Sequence, residues 1–154
     1  MCNQGGDRGS VLVELALVLP VLLLFLLAAV EFGLVFNEYQ VLQNAVREGA
    51  RFSALPINQA SLNDPNRAAK MTAIQQFVLN YCSAQIVTPP LTAAEITINQ
   101  NYSIPISLAN YGVTAVTGSQ VSIVHTHTLL TGGAFLPGGG TLTLQASAVF
   151  RNMY

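Results

Sequence analysis

The run from Val11 to Val30 is interrupted only by one carboxylate, Glu14, and one proline, Pro20. A helix needs about 20 apolar residues to cross a bilayer, and this run supplies them. Fifteen of its residues are Leu, Val or Phe. Each gains about 0.3–0.6 kcal/mol at the centre of a membrane helix, on the order of 4–9 kcal/mol together. A central charge costs about 2.5–3.5 kcal/mol, and less near the end of a span, where Glu14 stands. The segment therefore inserts despite its carboxylate. Arg8 stands three residues before the run and the next basic residue is Arg47, which favours the N-terminus in the cytoplasm and the remainder outside. The run is longer than the roughly 7–15 apolar residues of a secretory signal, and Ala28-Ala29-Val30-Glu31 is a poor small-x-small cleavage site.

The helical pattern does not stop at the end of the apolar run. Tyr39, Val41, Leu42, Ala45, Val46, Gly49 and Ala50 recur at near-helical intervals. Pro56 and the polar residues 58–63 end them. A helix from Ser10 to about Ala54 is roughly 65 Å long at about 1.5 Å per residue. Pro20 removes one backbone hydrogen bond from its membrane half and loosens it there. A second helix is predicted to open on Asp64-Pro65, a cap followed by proline at the first helical position. Its apolar face is Ala68, Met71, Ile74 and Val78, flanked by Phe77 and Tyr81, and it ends near Cys82. Ile96 and Ile98 alternate with Thr97 and Asn99 in a half-buried strand over residues 95–101. Residues 103–108 continue extended, with Pro105 confining them to an edge or a bulge. Strands follow over residues 119–130 and 141–150, joined by the Gly/Pro-rich residues 132–140. The pattern predicts an α+β fold. Its parts are a long N-terminal helix with a transmembrane and an amphipathic half, a short second helix, and a small antiparallel sheet on the outer half of the long helix.

Fewer than 120 residues follow Phe36, enough for one modest core. The net charge is −1 and no basic run occurs, which argues against nucleic acid as a partner. Beyond Glu95 the one charged side chain is Arg151. A surface so poor in charge is weakly protected against association, which suits a subunit of an assembly.

A short polar leader, residues 1–9, ends in Gly9, and Glu14 stands five residues beyond that glycine. This arrangement resembles a type IV prepilin processing site, in which a prepilin peptidase cuts after the glycine. More narrowly, Val13-Glu14-Leu15-Ala16-Leu17-Val18-Leu19-Pro20, Glu31-Phe32-Gly33 and Gln43-Asn44-Ala45-Val46-Arg47-Glu48-Gly49-Ala50-Arg51 resemble the TadE-like pseudopilins. These are minor pilins of the tight-adherence (Flp, type IVc) pilus machinery. The resemblance is strong over residues 9–52 and looser beyond. Leu15 departs from it, since the family more often carries an aromatic residue after the glutamate.

The resemblance implies a prepilin leader over residues 1–9, a transmembrane segment over 10–36 and an extracytoplasmic pseudopilin domain over 37–154. Cleavage between Gly9 and Ser10 would make Ser10 the new N-terminus and Glu14 the fifth residue of the mature chain. It further implies a single-pass protein of the bacterial inner (cytoplasmic) membrane that contributes to assembling a Flp/Tad-type pilus for surface adhesion. Its partners would be the prepilin peptidase, other Tad pilins and pseudopilins, the inner-membrane assembly platform and the lipid bilayer. Glu14 would pair with the α-amine of a neighbouring subunit, and Glu14 and Pro20 together would set the register of assembly. The competing reading is an uncleaved single-pass protein whose outer domain binds a ligand or an envelope partner.

The remaining motifs carry little chemistry. His125 and His127 share a face of a strand, but a metal site needs at least one more protein ligand. They read as two imidazoles on a polar strand face, with no metal and no cofactor expected; the alternative is a metal site completed by Glu95 or Cys82 converging in space, which would make the chain an anchored metal-dependent hydrolase. Gly133 and Gly138 have phosphate-loop spacing, yet Gly139 stands where that loop requires lysine. Cys2 lies in the leader, and Cys82 reads as a small buried hydrophobe. No nucleophile with an adjacent base appears, so the chain is expected not to be an enzyme.

Overall fold

The computed structural model describes residues 5–61, 63–85, 87–108, 112–130 and 140–153. The first helix, α1, runs from Gly5 to Ser53 through Pro20. The chain divides into two compact units, Met1–Phe36 and Asn37–Tyr154.

In the first unit every residue from Gly9 to Val30 is exposed. A helix that is apolar on all sides belongs in a core or in lipid, and no described residue of the chain covers it. Among the described residues α1 is the one helix long and apolar enough to cross a membrane, with a mean hydropathy of 2.9 in its most apolar window. Phe32 and Phe36, one helical turn apart, stack with their ring centroids 6.3 Å apart.

The second unit is α+β. It contains the last part of α1, then α2 (Arg67–Ser83), a single 3-10 turn (Ala93–Glu95), β1 (Ile96–Leu108), β2 (Gly112–Thr128) and β3 (Thr141–Arg151). The three strands form one antiparallel sheet in the order β1-β2-β3. The expected sheet is present, with longer strands than the pattern suggested. Residues 95–101 and 103–108 merge into one strand, which takes up one extra residue where the register slips between Asn99 and Tyr102. β2 begins at Gly112 rather than Ser119. Pro105 lies on β1, an edge strand, where its missing N–H is tolerated. The joining residues 131–139, and with them Gly133, Gly138 and Gly139, lie outside the described residues, as does Cys2.

α2 starts later than its sequence suggests. Asp64 does not cap it. Its Oδ1 accepts from the Asn66 N–H at 2.8 Å and its Oδ2 from Lys70 Nζ at 2.8 Å, so Asp64 and Pro65 form a turn and Arg67 is the first helical residue. The covered stripe is Ile74, Val78 and Cys82, while Ala68 is exposed. On α1 the covered stripe is Glu38, Val41, Leu42, Ala45, Val46, Gly49 and Ala50, and Tyr39 faces solvent instead. Val121 and Ile123 of β2, Leu144 and Ala146 of β3 and Ile96 of β1 complete the core.

Two local features fix how closely these elements approach. A β-carbon on Gly49 would stand 2.5 Å from Val78 Cγ2 and 3.6 Å from Val121 Cγ1, so the absence of a side chain lets α1, α2 and β2 close together. At the end of α1, Gln100 is buried and its amide is fully used. Its Oε1 accepts from the Ala60 N–H at 2.9 Å, and its Nε2 donates to the Asn58 carbonyl at 2.8 Å and to Ser53 Oγ at 3.1 Å. Ser53 Oγ also meets Ser119 Oγ of β2 at 2.5 Å. The chain end joins this knot: Asn152 Nδ2 donates to the Gln100 carbonyl at 3.1 Å and the Met153 N–H to the Ala54 carbonyl at 3.2 Å.

Candidate functional site

The predicted processing and assembly residues all lie on the exposed, apolar part of α1. Gly9, Ser10, Glu14 and Pro20 are helical and exposed. A β-carbon on Gly9 would meet nothing within 4 Å, so nothing in the chain's own packing calls for glycine there. Among the described residues Glu14 has no ion-pair partner. Chemically this segment offers a small residue at the mouth of a hydrophobic run and one anionic group displaced from it by little more than a helical turn.

A second polar cluster is internal to the second unit, where the sequence pattern predicts two imidazoles on a polar strand face. His125 and His127 are 0% and 4% exposed. They do not lie on a polar strand face. They continue the inward positions Val121 and Ile123 at a spacing of two, so the strand turns them into the core. Glu38, 2% exposed, meets them from α1. Its Oε2 is 2.5 Å from His127 Nδ1, and its Oε1 is 2.9 Å from His125 Nε2. That second contact is close but lies off hydrogen-bond alignment. His125 Nδ1 faces Glu95 Oε1 at 2.8 Å. Glu95 itself is held by the 3-10 turn, where its Oε2 accepts from the Thr92 N–H and hydroxyl, each at 2.7 Å.

The electrostatics of Glu95 follow from these partners. Partial burial opposes its charge, but the Thr92 hydroxyl, the Thr92 N–H and His125 outweigh that and hold the carboxyl below its ordinary value. Cys82 is buried, and desolvation pushes its thiol up to about 11. It is a free cysteine and packs as an apolar side chain. Among the described residues no group of three or more His, Cys, Asp and Glu is arranged to hold a metal ion.

The signal for Glu38 was present in the sequence. It stands three, four, seven and eight residues before Val41, Leu42, Ala45 and Val46, on the stripe that the helix buries. A carboxylate in line with an apolar stripe requires a partner, and the two histidines on the inward face of the longest strand were the available ones.

A protein-family model described as TadE-like protein matches residues 9–51. The match covers the apolar segment, Glu14, and the stripe of α1 that carries Glu38. It supports a Tad pilus-associated protein anchored by its apolar N-terminal helix. No curated protein and no solved structure matches the chain.

Proposed function

We propose that this chain is a minor pilin or pseudopilin of a Tad-type pilus, cut after Gly9 by a prepilin peptidase and inserted in the inner membrane through residues 10–36. The carrying observation is the TadE-like match over residues 9–51, with Gly9, Ser10 and Glu14 in register ahead of the apolar run. An exposed Gly9 that the chain's own packing leaves unexplained fits a residue chosen by an external protease. The role is structural rather than enzymatic. Each apolar N-terminal helix exchanges lipid for neighbouring helices, and the carboxylate of Glu14 neutralises the α-ammonium of an adjacent Ser10 terminus. Contacts of this head-to-tail kind do not close on themselves and so propagate into filaments. The other Tad pilins and the inner-membrane assembly platform are the expected partners, and adhesion is the output of the finished pilus.

Intact mass and N-terminal sequencing of the protein from membranes test the reading. A mature chain starting at Ser10, and an uncut precursor when Gly9 is replaced by a bulky residue, are the expected results. Retention of Met1 in the membrane-embedded protein would return the argument to an uncleaved single-pass protein with a binding domain outside.

A further inference from the structure

We propose that the open edge of β3 pairs with the same edge of a second copy of this chain, antiparallel and about a two-fold axis at Ala146, so that the two sheets become one. β3 is an edge strand, and among the described residues no strand lies on its other side. Two hydrogen bonds fix which of its backbone groups face that edge. The Asn152 N–H donates to the Thr117 carbonyl at 3.1 Å just past one end of the β2–β3 ladder, and the Leu129 N–H donates to the Gly140 carbonyl at 2.8 Å just past the other. In an antiparallel pair, residues that bond to the partner strand alternate with residues whose N–H and carbonyl point away from it. Positions 140 and 152 bond to β2, and so do the even positions between them. Thr141, Thr143, Gln145, Ser147, Val149 and Arg151 therefore turn their N–H and carbonyl groups to the open edge, and all six residues are exposed.

The two edges of the sheet differ. β1 carries Pro105 and the register slip between Asn99 and Tyr102, and both devices discourage a further strand. β3 has neither. Its register runs unbroken from Thr141 to Arg151, and no proline, glycine or charged residue precedes Arg151 within it. A long, regular and uncharged edge of this kind is a template for another strand.

The residue pattern along β3 selects its own copy as the strand that fits. Pairing about Ala146 uses the whole strand, with Gln145 opposite Ser147 of the second copy, Thr143 opposite Val149 and Thr141 opposite Arg151. On the other face it sets Leu142 opposite Phe150. These two share the inward face with the buried Leu144 and Ala146, yet they remain 39% and 37% exposed. They stand at equal spacing on either side of Ala146, so one two-fold axis covers both in both copies. In the new ladder they form the non-hydrogen-bonded pairs, whose side chains approach most closely. Charge favours the same arrangement. Antiparallel pairing holds the two Arg151 side chains at opposite ends of the joined strands, roughly 34 Å apart at about 3.4 Å per residue, whereas parallel pairing in register would set them side by side. The contact uses only residues of the second unit and does not depend on N-terminal processing.

The experiment uses the full chain in detergent micelles, with the oligomeric state read by sedimentation. The parent chain is expected to be a dimer. Ser147→Pro removes an N–H that faces the open edge and leaves the β2–β3 ladder intact. By symmetry it deletes two hydrogen bonds between the copies, so the dimer dissociation constant should rise by about tenfold or more, with the far-UV circular dichroism unchanged. A pair of cysteine variants tests the register and keeps the proposal falsifiable should Ser147→Pro not fold. In a chain carrying Cys2→Ser and Cys82→Ala, Gln145→Cys and Ser147→Cys protomers allowed to exchange should form a disulfide across the dimer, because a hydrogen-bonded pair holds its Cα atoms about 5.5 Å apart. Neither variant alone should crosslink, since diagonal neighbours lie about 7–8 Å apart, beyond disulfide reach. A monomeric parent chain, including one that takes up a strand only from a different pilus subunit, overturns the proposal. So does a dimer that folded Ser147→Pro leaves unchanged, or crosslinking as fast in either variant alone as in the mixture.

Discussion

Replacing Glu38 by alanine removes the carboxylate that both buried histidines face on the α1 side. A buried polar group left without its hydrogen-bond partner costs roughly 1–3 kcal/mol, whereas Glu48→Ala, on the exposed side of the same helix, should stay within about 0.5 kcal/mol. Urea unfolding of the two variants in micelles measures the difference. Glu95 governs a separate, acid-side effect. Its folded value lies below 4.5, so the stability it contributes is complete above that pH and is lost as the pH falls through the folded value. Glu95→Gln should flatten this part of the acid limb, as urea midpoints between pH 3 and 5 will show. Cys82 illustrates what burial does to a thiol. With a value of about 11, roughly one thiol in a thousand is ionised at pH 8. Maleimide should label the native chain slowly and the urea-unfolded chain at once, and a covalent dimer through Cys82 should not form while the unit is folded.

Gly49 decides how α1, α2 and β2 pack. Alanine gains up to about 1 kcal/mol of helix propensity there, but its methyl would stand 2.5 Å from the stiff, branched Val78, and overpacking costs about 1–3 kcal/mol. Gly49→Ala should therefore be neutral to destabilising, and Gly49→Leu should unfold the second unit. Shortening Val78 makes room for the new methyl, so Gly49→Ala with Val78→Ala should be less damaging than the two separate effects added. Circular dichroism melts of the four chains measure this. The elements themselves were mostly legible, because their information is local: the α1 stripe at helical spacing, the alternation in β3, the edge position forced by Pro105. What was not legible depended on partners distant in sequence. The start of α2 was misplaced because Asp64 spends its oxygens on Asn66 and Lys70 instead of capping the helix. The histidines look like surface residues in the sequence because their partner Glu38 lies 89 positions from His127, and the spacing within a strand does not name its partner on a helix.

At the scale of the whole molecule the decisive residue is Glu14, which has no ion-pair partner among the described residues of its own chain. If it neutralises the α-ammonium of a neighbouring subunit, Glu14→Gln should still insert, and somewhat more readily, since a neutral side chain is easier to bury. It should also still be cut, because the small residue at Gly9 and the apolar run after it are unchanged. Association is what should fail. The amide leaves the partner's ammonium in lipid without a counter-charge, at a cost of about 3–5 kcal/mol. That weakens association by on the order of a hundredfold or more, at about 1.4 kcal/mol per factor of ten. Four measurements on one strain separate the steps: abundance in the membrane, N-terminal processing, co-purification with the other pilins, and surface piliation. Normal values for the first two with loss of the last two are expected. Full piliation in the Glu14→Gln strain would instead make the carboxylate an interfacial acid that meets water, and the filament register would have to be set by helix packing around Pro20 alone.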